Sequence, residues 1–81
     1  MSRKLVRSTE IEIDGRGYPL RYFEQKTIHG ARRYSCEVLL CAADRIILDD
    51  DSLTSLESRV ALLVPAMVYS RLLAARISVA A

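Results

Sequence analysis

With 81 residues, 51% of them hydrophobic and 27% charged, the chain is apolar enough to build a core and short enough to be one domain, residues 1–81. A net charge of +2 is too small to imply a polyanion partner, and two cysteines do not make the disulfide framework that staples small secreted domains. A domain of this size buries only about 60 to 65% of its unfolded surface, so regular packing or a partner subunit has to supply part of its stability.

Charge is distributed in blocks. Residues 1–33 hold eight Lys or Arg against four acids, residues 34–58 hold Arg45 against six acids, and residues 59–81 hold three Arg and no acid. Such alternating blocks can satisfy one another within one fold or between two copies of it. Met1 to Leu5 is basic and lacks an apolar stretch of signal-peptide length, so a cytoplasmic location is expected.

The first strand is predicted over about residues 4–14. Glu10 to Asp14 alternates acid with isoleucine, the period-two pattern of a half-buried strand, and Leu5, Arg7, Thr9, Ile11 and Ile13 share a face. Asp14-Gly15-Arg16-Gly17 offers residues that tolerate positive φ, as a tight hairpin requires. A second strand follows at about 18–26, with Tyr18, Leu20 and Tyr22 on one face and Arg21, Phe23 and Gln25 on the other. Pro19 cannot donate to a ladder, which places it at the strand's start or facing an open edge. His29-Gly30 is a turn, and the lone histidine is expected to be solvated there.

The third strand, about 32–41, turns Tyr34, Cys36, Val38 and Leu40 one way and Arg33, Ser35, Glu37, Leu39 and Cys41 the other, and a fourth is expected at 45–48. Five residues apart on one strand, Cys36 and Cys41 should point to opposite faces at about 17 Å and cannot bridge. The outward face, with Glu10, Glu12, Arg21, Arg33 and Glu37, reads as a ladder of opposite charges.

Asp49, Asp50 and Asp51 lead into a helix over about 52–79. Consecutive carboxylates rarely converge on one cation, so they read as a helix start: Asp51 or Ser52 caps it, the other acids favour its positive end, and Thr54 with Glu57 has capping-box spacing. At 100° per residue, Leu53, Leu56, Val60, Leu63, Val64 and Met67 form one core-facing stripe, which ends where Arg71 falls at its centre. A second apolar stripe, Leu62, Ala66, Tyr69, Leu73, Ile77 and Ala80, starts on nearly the opposite side, and Pro65 marks the changeover. The fold class expected is therefore α+β: an antiparallel meander of three to four strands followed by a long C-terminal helix kinked or broken at Pro65.

The second stripe has no use on a lone sheet. Leu62, Ala66, Tyr69, Leu73 and Ile77 are the expected self-association surface of a small non-catalytic interaction module, with a homodimer as the simplest closed assembly. The alternative function is nucleic-acid binding through Arg3, Lys4, Arg7, Arg16, Arg32 and Arg33, with Phe23 or Tyr34 against a base. No nucleophile, base and metal-ligand constellation is present, so no enzyme activity, cofactor, metal or small-molecule ligand is expected. The uncharged run Val60 to Ser70 is about half of what a bilayer span needs, so no membrane span is expected.

Overall fold

The computed structural model describes residues 3–80, with side chains described through Ala75. It is an α+β arrangement: strands β1 (Lys4–Ile13), β2 (Arg16–Lys26), β3 (Arg32–Cys41) and β4 (Asp44–Asp50), followed by helix α1 (Leu53–Ala80). The strands form one antiparallel meander in the order β1-β2-β3-β4, so β1 with its basic start lies at one edge and β4 at the other.

Local chemistry accounts for each reversal. Asp14 and Gly15 take positive φ, 52° and 79°, and Ile13 pairs directly with Arg16, so the hairpin needs only these two residues and β2 begins two positions earlier than expected. Between β2 and β3, Thr27 receives the Gly30 N–H on its carbonyl and the Ala31 N–H on its hydroxyl, while Gly30 supplies φ of 82°. Pro19 lies just outside the β2–β3 ladder, which starts at Leu20 opposite Val38, so its missing donor costs that ladder nothing. β4 extends to Asp50, two residues past its expected end.

Two bulges alter which faces side chains occupy. A register shift between Leu5 and Arg7 pairs Leu5 with Phe23 and Arg7 with Tyr22, so Leu5 joins the open face and not the Arg7, Ile11 and Ile13 face predicted for it. A second shift between Leu39 and Cys41 pairs Cys41 with Asp44. The extra residue overturns the parity rule for the cysteines: Cys41 turns to the same side of the sheet as Cys36. Both thiols are free, Cys36 buried and Cys41 exposed.

The core lies between the sheet and α1. Tyr18, Leu20 and Tyr22 from β2, Cys36 and Val38 from β3 and Ile46 from β4 pack against Leu56, Val60, Val64 and Val68 of the helix. The last four are spaced by four residues, so one i±4 ridge meets the sheet. Val68 joins this row, Leu53 and Met67 flank it, and Leu63 is only half-buried. Each buried Val or Leu contributes about 1.5–3 kcal/mol at most.

The helix runs unbroken through Pro65, which excludes a break there. Ser52 is its cap: its carbonyl accepts from Leu56 N–H at 2.9 Å and its Oγ from Ser55 N–H at 3.3 Å. Thr54 and Glu57 do not form the capping box, because they lie inside the first turns, and Glu57 instead meets Arg7 at 3.2 Å. The 28-residue helix is about 42 Å long at 1.5 Å per residue, longer than the ten-residue strands at about 33 Å. It outruns the sheet, and the molecule measures 49 × 22 × 20 Å.

Candidate functional site

The apolar helix surface left uncovered is built by periodicity. With the Leu56, Val60, Val64 and Val68 row on the sheet, residues about 190° away face outward, and these are Leu62, Ala66, Tyr69 and Leu73. Leu62 is 74% exposed, Tyr69 60% and Leu73 39%, and Ala66 is exposed as well. Leu72, 54% exposed, lies between this face and the sheet side. The side chains of Ile77 and Ala80 lie outside the described ones. The structure therefore brings four of the five predicted self-association residues onto one outward face.

Arg71, which interrupts the inner stripe, is no defect. It continues that stripe as a polar clasp, with Nε donating to Asp44 Oδ2 at 2.7 Å and Nη2 to Oδ1 at 3.3 Å. The helix start is clasped likewise. Asp50 accepts from the Ser55 hydroxyl, the Asp51 N–H and Arg59, contacts that hold its carboxyl well below the usual carboxylate range. Arg59 also donates to the Asp49 carbonyl at 2.8 Å, while the Asp49 carboxylate meets Arg33 at 3.2 Å on the other face of the sheet. The Asp49 and Asp50 carboxylates thus diverge.

On the open sheet face Glu37 is 4% exposed, between Arg21 at 2.7 Å and Arg45 at 3.2 Å. Burial pushes its carboxyl up, but the two guanidiniums outweigh that and hold it below its ordinary value. On the core side, desolvation pushes the Cys36 thiol up to about 11 and raises the Tyr22 hydroxyl, beside which the Cys36 thiol adds to the shift.

The six basic residues proposed for nucleic acid do not gather on one surface. Arg3 lies 4.1 Å from the centroid of Phe23 and covers that ring, and Arg33 shares the open face. Arg7 and Arg16 are on the helix side, 4.7 Å over Tyr22 and 5.5 Å over Tyr18, and Arg32 reaches Glu24 at 3.7 Å. Lys4 is exposed on the edge strand opposite Glu24. Tyr34 packs against the core on the helix side.

By length and composition, Leu53–Ala75, with mean hydropathy 1.3, suffices to cross a bilayer. Its inner row packs on the sheet in the shared core, and its Glu57, Arg59 and Arg71 pair with residues of β1 and β4. Among the described residues, no group of three or more His, Cys, Asp or Glu could hold a metal ion. No family model, curated protein or solved structure matches the chain.

Proposed function

We propose that the chain is a cytoplasmic, non-catalytic interaction module that pairs with a second copy of itself through the outward face of α1. The observation that carries this reading is the row Leu62, Ala66, Tyr69 and Leu73, apolar and exposed on the side of the helix that its own sheet never reaches. The row is also complementary to itself. Antiparallel packing about a two-fold axis near residues 67 and 68 sets Leu62 against Leu73 and Ala66 against Tyr69, so each large side chain meets a smaller or equal one. Charge supports an apolar partner, since five of the six acids in the middle block pair within the chain. The free thiols suit a reducing compartment. A nucleic-acid platform has less support, because Arg7, Arg32 and Arg33 each have a carboxylate partner and Arg3 covers Phe23.

Light scattering after size exclusion tests the pairing. At micromolar concentration the mass should be twice the 9.1 kDa of one chain, and Leu62→Glu should return it to one chain while leaving the circular-dichroism spectrum folded. A wild-type mass of one chain across that range rejects the proposal.

A further inference from the structure

A cleft of about 210 Å³ opens at the end of the sheet that carries the β1–β2 and β3–β4 turns, beneath the helical turn that holds Val68, Arg71 and Leu72. The bulge in β3 makes it: the extra residue lets Leu40 and Cys41 both line the wall, where regular alternation would turn one of them away. Val68 and Leu72 form the roof and the Tyr18 ring a side, so most of the lining is apolar. An apolar cavity of about 150 Å³ accommodates benzene, so this cleft has room for a ring of that size with a small polar substituent.

Its charges are unbalanced. Arg71 reaches the cleft but is neutralised and held in plane by Asp44 through Nε and Nη2, which leaves Nη1 as a spare donor. Arg16 also lines the cleft, 5.5 Å from the Tyr18 ring centroid, and has no carboxylate partner among the described residues. Two guanidiniums against one carboxylate leave one positive charge beside an apolar floor, the polarity suited to a monoanion with an apolar body.

We infer that this cleft binds a small monocarboxylate with an aromatic or branched apolar body, the carboxylate on Arg16 and the body between Tyr18, Leu40 and Leu72. Arg71 and Asp44 set the position of the roof over it. The cleft lies on the sheet side of α1, away from Leu62 and Tyr69, so this binding and self-association stand or fall separately.

The test is a titration of the full chain by amide NMR, with benzoate as the probe and neutral benzamide as the control at constant ionic strength. Benzoate should give saturable shifts at the amides of Leu40, Val68 and Leu72, with benzamide about ten-fold weaker. Arg16→Gln should weaken benzoate by about the same factor with the melting temperature unchanged, since Arg16 is exposed and outside the core. The inference is overturned by the absence of saturable benzoate shifts, by equal binding of benzamide, or by an Arg16→Gln variant that binds benzoate as the wild type does.

Discussion

Glu37 sits on the face of the sheet that no helix covers, yet it is nearly sealed from water, because Arg21 and Arg45 lie over it from neighbouring strands. Its carboxyl is held below the ordinary value, so the unfolded chain binds its proton more readily than the folded one. The stabilisation is therefore present above the unfolded value of about 4.3 and is lost as pH falls through the folded value. Both arginines are about half exposed, which screens the pairing. Glu37→Gln should cost about 1 kcal/mol at pH 7, and the gap from wild type should close when urea unfolding is repeated at acid pH. An equal gap at both pH values means that packing of the side chain, not its charge, is what matters.

Pro65 presents the corresponding problem for an element. It lies within a continuous helix, where it cannot donate to the carbonyl of Ala61 and where proline costs about 3 kcal/mol relative to alanine. The helix persists because Val60, Val64 and Val68 on either side are locked into the same core. Pro65→Ala restores the donor and should raise stability by about 1–3 kcal/mol, read as a higher urea midpoint with an unchanged slope. Loss of stability in that variant shows instead that a proline-shaped backbone is needed here. Ser52, Asp50 and Arg59 close the helix start around it, so that end is set by hydrogen bonds within the chain and the outward apolar row is free to meet a partner.

In the molecule as a whole, the charge blocks close on themselves. Arg7, Arg21 and Arg33 from the first block and Arg59 and Arg71 from the last each meet an acid of the middle block. Five of the six acids of the middle block are thus matched within one chain, so the proposed pairing of copies would rest on hydrophobic burial. Anything that binds the folded state alone raises its apparent stability by mass action, so a dimer's melting temperature should climb over about a hundred-fold rise in protein concentration. A midpoint independent of concentration, with the wild type still dimeric by light scattering, means that the chains pair equally well unfolded and that the folded helix face is not what joins them.

Strand alternation, the Asp-Gly turn and the two opposed helix stripes were legible in the amino-acid order, because each depends on residues within about one turn of one another. From them followed the meander, the helix, the core row from Leu56 to Val64, and the face bearing Leu62, Ala66, Tyr69 and Leu73. The positions of Leu5 and Cys41 were not legible, since a bulge depends on how two strands pair and moves a side chain across the sheet without any local mark. The partner of Arg71 was hidden for a related reason: Asp44 is 27 residues away, and only docking of α1 on the β4 end of the sheet brings them together. The cleft gathers residues from Arg16 to Leu72, so its shape and its unbalanced charge exist only once the chain has folded.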